Sequence, residues 1–331
     1  MEANPQPILR GLLRKSLSLV RGHARVLSTL LSVSVLAFMG WRLVQDWRTL
    51  PPNFYAHVNP VLLPASLAAL MPAMLLVSTR WWLTLRLMRA RAGWWSSVRA
   101  WFLSQAGRYV PGGVWPYVSR FFLSRDEVGE DLLLTSMVLE TALRVVSEIC
   151  VFLLTLPFWL HTGFLDGRYT AVLLAVCGLG LLMLHPAVMD RCNRLPLLRR
   201  LGLKPVDLTH LRYDRVLTLL VYYAVTVVAV GAAFYVMVIA FYPLPLQAAP
   251  AVCGALSLAV VLGFLVPFVP NGWGVREGVL ALLLSQLMPP AIAILVSGVA
   301  RIWLTLGEGV WILLFLPGAS AARRPHPSPP R

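Results

Sequence analysis

Long apolar segments alternate with short basic ones along this chain. Residues 216–275 contain no aspartate, glutamate, lysine, arginine or histidine. An apolar run of about 18 or more residues can cross the hydrocarbon core of a membrane as a helix. The pattern predicts an all-α polytopic membrane protein with apolar spans at about 26–45, 60–79, 131–160, 169–189, 216–241 and 291–316.

Two further apolar segments, 100–123 and 249–288, are interrupted by residues that break helices. The first contains YVPGGVWPYVSR (109–120) and the second FVPNGWGVREG (268–278). Each has an aromatic residue, Val-Pro, any residue and a glycine, and each has an arginine beyond the break. Paired interruptions in two halves are typical of inverted-repeat transporters, in which they point to a binding site near the bilayer midplane.

We therefore predict six to eight crossings, two re-entrant or broken segments and an inverted repeat. Irregular backbone at membrane depth is tolerated only inside protein or beside a watery cavity. The alternative is that both motifs are ordinary loops at the membrane surface.

Charge supports a membrane protein and sets its orientation. The chain is 58% hydrophobic and 13% charged, whereas soluble domains are about 25% charged. The net charge of +15 comes from short basic segments at the N-terminus, at 80–99, at 190–215 and in the tail. Such segments beside spans mark the cytoplasmic side, so we expect both termini to be cytoplasmic in a cell-membrane protein and exclude nucleic-acid binding.

The same pattern divides the chain. Residues 1–25 are predicted to be a basic cytoplasmic segment and 317–331 a disordered, proline-rich tail. Residues 26–316 are predicted to be one transmembrane domain. Its halves, 26–189 and 216–316, are joined by the basic loop 190–215.

Ionisable residues occur inside two spans. Glu140, Arg144 and Glu148 are four residues apart and therefore share one helical face, although each charge costs about 2.5–3.5 kcal/mol at the helix centre. Arg301 and Glu308 form a second stripe with Ser297 and Thr305. These stripes either line one substrate path or hold helices together as ion pairs.

The interrupted segments suggest an anion site. Helices that restart after a break present free N–H groups, which suit phosphate, and Asn271 is a candidate N-cap for the second restart. The predicted lipid-phosphate-binding residues are Arg108, Gly112, Gly113, Arg120, Asn271, Gly272, Gly274 and Arg276. The predicted head-group path consists of Glu140, Arg144, Glu148, Glu277, Arg301 and Glu308.

Motifs of several enzyme classes are missing from the sequence. No histidine pair has metal-ligand spacing, and there is no P-loop, HExxH or GxSxG. The four cysteines form no CxxC pair. The acidic stretch 126–131 is better explained by a capping box of Ser124 and Glu127 that starts the next span. We expect no metal, no cofactor and no catalytic residue, and therefore not an enzyme.

Three motifs carry a family resemblance. YVPGGVWPYVSR, LETALRVVSE (139–148) and PNGWGVREG (270–278), followed by a last span with arginine and glutamate, resemble the lysylphosphatidylglycerol synthase transmembrane-region family, a flippase-like family. The resemblance covers about 20–316. Asn271 stands where a glycine is expected, which leaves that turn's geometry open.

The resemblance implies a module that translocates a phosphate-containing lipid, such as an amino-acylated phospholipid or a polyprenyl-phosphate-linked sugar. The soluble aminoacyl-transferase domain of the full-length synthases is expected to be missing, because the chain ends 15 residues after residue 316. One alternative is a membrane-embedded transferase with a lipid-phosphate donor and a glutamate base. Another is a non-catalytic subunit that recruits a soluble cytoplasmic partner through loop 190–215. The oligomeric state is not predicted.

Overall fold

The computed structural model describes residues 58–109, 114–160, 167–194, 210–266 and 272–316, together with isolated positions at 37, 40, 41, 44, 45, 206 and 208. Predicted span 26–45, most of loop 190–215 and the tail lie outside these residues. The described ranges contain helices and turns and no strand. The prediction of an all-α polytopic membrane protein is confirmed.

Eleven helices follow one another in the described ranges. The first half contains α1 (Leu62–Leu87), α2 (Trp94–Gln105), α3 (Trp115–Ser124), α4 (Glu130–Leu154), α5 (Leu156–Leu160), α6 (Gly167–Met183) and α7 (Pro186–Asn193). The second half contains α8 (Tyr213–Phe241), α9 (Ala249–Leu265), α10 (Val275–Leu284) and α11 (Pro290–Phe315). A 3₁₀ turn, Ala106–Tyr109, follows α2, and another, Leu246–Ala248, precedes α9.

Four of these helical segments are long and apolar enough to cross a membrane: Leu62–Leu87, Tyr213–Phe241, Leu246–Leu265 and Pro290–Phe315. The pair α6 and α7 adds a fifth if it counts as one span. Within the described residues, hydropathy thus yields fewer spans than the predicted six to eight. Helix α4, with 25 residues, is long enough at 1.5 Å per residue, but Glu140, Arg144 and Glu148 lower its hydropathy.

The predicted span 169–189 is broken. Helix α6 ends at Met183, and the chain bends by 76° before α7 begins. Pro186 sits at the first position of α7, where its missing N–H costs nothing. The Nδ1 atom of His185 accepts a bond from the Ala187 N–H at 3.3 Å and caps the new helix.

The predicted capping box at Ser124 is wrong. Ser124 is the last residue of α3, and α4 begins at Glu130 with Gly129 as its N-cap. The Glu127 carboxylate instead accepts a hydrogen bond from Ser96 Oγ at 2.7 Å. A turn of five residues separates α3 from α4, so the N-cap of α4 was predicted five residues too early, at 124 instead of 129.

The two halves repeat the same pattern of elements. Helices α3 and α10 have ten residues each, and their starts, at 115 and 275, are 160 residues apart. Helices α4 and α11 start at 130 and 290, again 160 residues apart. Glu148 and Glu308 therefore occupy the same position in the repeat.

Corresponding helices run in opposite directions. The N–H of Asn59, just before α1, donates to the Ala240 carbonyl near the end of α8 at 2.8 Å. Farther along α1, the Leu76 carbonyl accepts from Tyr222 near the start of α8 at 3.0 Å. Helices α1 and α8, the first described long helices of their halves, are thus antiparallel, as an inverted repeat requires.

Helices of one half also pack against helices of the other half. Helix α2 of the first half packs antiparallel on α11 of the second, with Phe102 stacked 5.0 Å from Trp311 and Trp95 5.0 Å from Phe315. Helix α9 packs in the same manner on α4, with Gly254 near its start against Thr155 at the end of α4. Each helix that leads into an interrupted segment therefore contacts the long helix that comes second after the interrupted segment of the other half.

Glycines allow the closest helix contacts. A Cβ at Gly254 of α9 would lie 2.1 Å from Thr155 Oγ1, and one at Gly231 of α8 would lie 2.2 Å from Cys253 Sγ. A Cβ at Gly307 of α11 would lie 2.7 Å from Leu70 of α1. Small residues at such positions are the usual means by which membrane helices approach each other.

We expect Gly254→Val to destabilise the fold by about 1–3 kcal/mol, because the added side chain overpacks the contact between α9 and the turn after α4. Thermal unfolding in detergent measures the effect. Gly298→Val is the matched control, since a Cβ there meets nothing within 4 Å. Equal stability of the two variants would contradict the tight contact.

Apolar side chains also cover part of the outer surface. On α8, Val221, Val225 and Val228 are all exposed and lie on one helical face. Large exposed apolar patches mark a surface that something apolar covers. Lipid chains are the natural partner for this face of a membrane helix.

Candidate functional site: a cavity lined with arginine

A cavity of about 550 Å³ lies between the two halves. Residues from α1, α4, α8, α9 and α11 form its walls, and both interrupted segments contribute residues to it. Its charged lining consists of Arg80, Arg108, Arg120, Arg144, Arg276, Glu140, Glu148 and Glu308. Seven of these eight, all except Arg80, are residues that the sequence predicts for the phosphate site or the head-group path.

Arg120 and Glu140 form a buried ion pair on one wall. The guanidinium of Arg120, in α3, donates to a carboxylate oxygen of Glu140, in α4. Arg120 is only 4% exposed and lies over the ring of Trp81, with Cζ 4.9 Å from the ring centroid. The indole N–H of Trp101 donates to the other Glu140 oxygen at 3.2 Å.

Arg108 and Glu308 form a second pair that joins the two halves. Arg108 lies in the 3₁₀ turn after α2, and its guanidinium donates to Glu308 of α11 and to the side chain of Gln105. Because Glu308 sits 200 residues from Arg108 in the chain, this pair links the first interrupted segment directly to the last helix.

Arg80 was missed from the sequence. It follows the predicted span 60–79 and belongs to a run of basic residues assigned to the membrane surface, but α1 continues to Leu87 and carries it inside. Its guanidinium donates to Thr226 and, at 2.8 Å, to the Tyr223 carbonyl. It also lies 4.8 Å from the Tyr223 ring centroid. Only a predicted span longer than 60–79 would have placed Arg80 inside the membrane.

Glu148 faces this arginine. Arg80 and Arg144 are its main electrostatic partners, while the Ser257 hydroxyl of α9 donates to the Cys253 carbonyl at 3.0 Å. Among the described residues Arg144 forms no ion pair with Glu140 or Glu148 within 4.0 Å, although Glu140 does join α4 to α3 through an ion pair, as the alternative of ion pairs that hold helices together predicts. Glu140 pairs with Arg120 instead, and Arg144 lies over the Phe264 ring at 5.6 Å.

Arg276 enters the cavity from the second interrupted segment, two residues after Gly274. Arg301, Glu277, Arg108 and Arg144 are within electrostatic range of it. The side chain is partly exposed, and it lines the cavity. In the described part of the chain no carboxylate oxygen lies within 4.0 Å of its nitrogens.

The second interrupted segment folds closely onto α9. Gly272 has φ +66°, and a Cβ there would lie 2.8 Å from the Cα and carbonyl oxygen of Gly263. Glycine is therefore required on both conformational and steric grounds. Gly272 lines the cavity. The first segment has a comparable approach, since a Cβ at Gly107 would lie 2.8 Å from the backbone of Trp115.

The N-cap of α10 is Gly274 rather than Asn271. The Gly274 N–H donates to the Glu277 carboxylate at 2.7 Å, so one of the N–H groups expected to face a phosphate is already satisfied within the protein. Gly274 does not line the cavity. Gly112, Gly113 and Asn271 lie outside the described residues, and their roles stay predictions.

Glu277 and Arg301 form a third pair, at 3.2 Å, between α10 and α11. Arg301 also lies 5.1 Å from the Trp273 ring centroid. Glu277 and Arg301 were both predicted to line the head-group path, but neither is among the residues that line the cavity. They instead hold α10 in place against α11.

The cavity carries an excess of positive charge. Five arginines and three glutamates in its lining leave a net charge of +2. Ionisable groups at membrane depth are expensive and mark substrate or ion pathways. An amphiphile whose head group carries phosphate matches such a site, because guanidinium groups bind phosphate strongly and in bidentate form.

Fold and cavity together define a polytopic α-helical membrane protein with inverted halves around an arginine-rich internal site. The chain belongs to the lysylphosphatidylglycerol synthase TM region family, whose model matches residues 25–307. This family suggests a membrane protein of lipid biosynthesis or translocation. A search of curated proteins finds no match to the chain.

Proposed function

We propose that this protein translocates a phosphate-containing lipid between the leaflets of the cell membrane. The observation that carries the proposal is the cavity between the halves, with its net charge of +2. An enclosed cationic site suits the head group, while the apolar outer surface suits the acyl or prenyl chains. The inverted arrangement of α1 and α8 supports alternating access, in which one half rocks against the other around a fixed site.

The pairing of the glutamates favours transport over chemistry. Glu140 and Glu308 each accept a hydrogen bond from an arginine. A carboxylate stabilised as an anion by a neighbouring guanidinium is a poor general base. We therefore propose a transporter that is not an enzyme, with its termini and loop 190–215 on the cytoplasmic side, as the basic clusters favour.

Movement of lipid between leaflets tests the proposal directly. The protein is reconstituted into vesicles with tail-labelled phosphatidylglycerol or phosphatidic acid, and dithionite bleaches the label in the outer leaflet. We expect the bleached fraction to rise from about half towards completion, with or without an imposed proton gradient. The same bleached fraction in vesicles with and without protein, for both lipids and under both conditions, would refute the proposal.

A pair of variants on α8 separates the cavity from the outer surface. Val230 lines the cavity, and Val230→Trp should block lipid movement by filling the space. Val228 is 49% exposed on the outside, and Val228→Trp should leave the rate unchanged. Equal rates for both variants would show that lipid does not pass through this cavity.

A further inference from the structure

Two arginines of the cavity form neither an ion pair nor a side-chain hydrogen bond with the described residues. Arg108 and Arg120 are paired with Glu308 and Glu140, and Arg80 donates to Thr226 and to the Tyr223 carbonyl. This leaves Arg144 and Arg276, which have no carboxylate oxygen of the described residues within 4.0 Å of a nitrogen. Glu148 is in electrostatic range of Arg80, Arg144 and Arg276 and can neutralise one of them, so these three arginines share the excess of two positive charges.

These two arginines contact neighbouring residues of α9. Arg144, from α4, lies over the ring of Phe264 at 5.6 Å. Arg276, from α10, passes so close to Gly263 that a Cβ there would lie 3.1 Å from its own Cβ. Because Gly263 and Phe264 are adjacent, α9 brings both side chains to one end of the cavity. The two guanidinium groups also interact electrostatically.

Glu148 is in electrostatic range of both arginines, but Arg80 shares it, so one carboxylate faces three positive charges. The segments 110–113 and 267–271 contain only valine, proline, glycine, phenylalanine and asparagine, so they add no charge. Arg301, the other cation near Arg276, is paired with Glu277. Two like charges held together at membrane depth require anionic compensation, since an uncompensated buried charge costs several kcal/mol.

We infer that the head group bound here carries two negative charges on phosphate, as in a lipid phosphomonoester or a pyrophosphate-linked lipid. The inference rests on the proposed function and narrows its substrate class. A phosphodiester such as phosphatidylglycerol, with one charge, would leave one guanidinium uncompensated. A head group bearing an additional amine, such as a lysyl ester, would increase the positive charge.

The geometry suits a terminal phosphate. A phosphomonoester presents three oxygens and is close to doubly charged at neutral pH, with a second pKa of about 6. Two guanidinium groups can each form a bidentate contact with it. A phosphodiester has two free oxygens and a single charge, so it offers the two groups fewer acceptors and half the compensating charge.

Binding of matched lipids tests this inference. The purified full chain in detergent is titrated with short-chain phosphatidic acid, phosphatidylglycerol and lysyl-phosphatidylglycerol that share the same tails, and tryptophan fluorescence or native mass spectrometry reports binding. At pH 8 we expect phosphatidic acid to bind at least about tenfold more tightly than phosphatidylglycerol, and lysyl-phosphatidylglycerol to bind most weakly. Equal affinities, or tighter binding of either other lipid, would overturn the inference.

Two further measurements assign the preference to the site. Arg144→Gln should reduce the preference for phosphatidic acid to below about threefold, whereas Arg125→Gln, at an exposed position outside the cavity, should keep it. Lowering the pH to 5.5 should also reduce the preference in the wild type, because the monoester then carries a single charge. A preference that survives both changes would refute the charge assignment.

The outcomes separate the inference from the proposed function. If both lipids bind, Val230→Trp blocks both and phosphatidic acid has no advantage, the cavity is a lipid site and the double-charge inference is wrong. If lipid binding is indifferent to Val230→Trp as well as to Arg144→Gln, both the inference and the proposed function fail.

Discussion

Glu140→Leu is expected to lower the free energy of unfolding by about 3–5 kcal/mol, because removing one member of a buried ion pair leaves an uncompensated charge. Arg120, its partner, is 4% exposed and lies over Trp81, so the substitution leaves a buried guanidinium without its carboxylate. Trp101 also loses the acceptor of its indole N–H. Unfolding in mixed detergent–SDS micelles measures the change.

A second substitution identifies the partner. Replacing both members of a buried pair by apolar residues of similar size is often neutral, so Arg120→Met combined with Glu140→Leu should recover most of the stability. Arg144→Leu combined with Glu140→Leu should not, because Arg120 stays unpaired. Recovery by the Arg144 combination would show that Glu140 pairs with Arg144 along α4 after all.

An exposed pair provides the control. Arg194 and Asp190 lie 3.0 Å apart with the arginine side chain 58% exposed, and exposed pairs contribute about 0–1 kcal/mol. Asp190→Asn should therefore leave the unfolding free energy nearly unchanged. A loss as large as that of Glu140→Leu would mean that the assay does not distinguish buried from exposed charge.

Arg276→Ala is expected to weaken the binding of short-chain phosphatidic acid by about 30-fold or more, which corresponds to at least about 2 kcal/mol. Arg276 faces the cavity from the second interrupted segment. Among the described residues no carboxylate oxygen lies within 4.0 Å of its nitrogens. Its loss removes one of the two guanidinium groups inferred to contact the phosphate. Titration of purified variants of equal thermal stability measures the change.

Arg276→Lys distinguishes charge from geometry. Lysine keeps the charge but loses the planar fork of donors, so the affinity should fall between that of the wild type and that of Arg276→Ala. Arg276 forms no pair with Glu277, which bonds to Gly274 and Arg301, or with Glu308, which bonds to Arg108. Unchanged affinity in both variants would place the phosphate elsewhere.

The sequence alone determined the class of protein and the position of its unusual segments. Apolar runs such as 216–241 fix membrane helices because water is excluded from the bilayer and the backbone must satisfy its own hydrogen bonds. Gly272 and Arg276 were identified because helix-breaking residues and an arginine interrupt an otherwise apolar segment there. Helical spacing likewise placed Glu140, Arg144 and Glu148 on one face of α4 without any structure.

Only the tertiary structure decided which charges meet. Arg120 and Glu140 lie on different helices, and Arg108 and Glu308 are 200 residues apart, so no local pattern could pair them. Arg80 was assigned to the surface because the end of a hydropathy peak does not show where a helix ends. The excess of arginine over glutamate in the cavity became visible only in three dimensions, because charge compensation depends on distance and burial, which spacing along the chain does not specify.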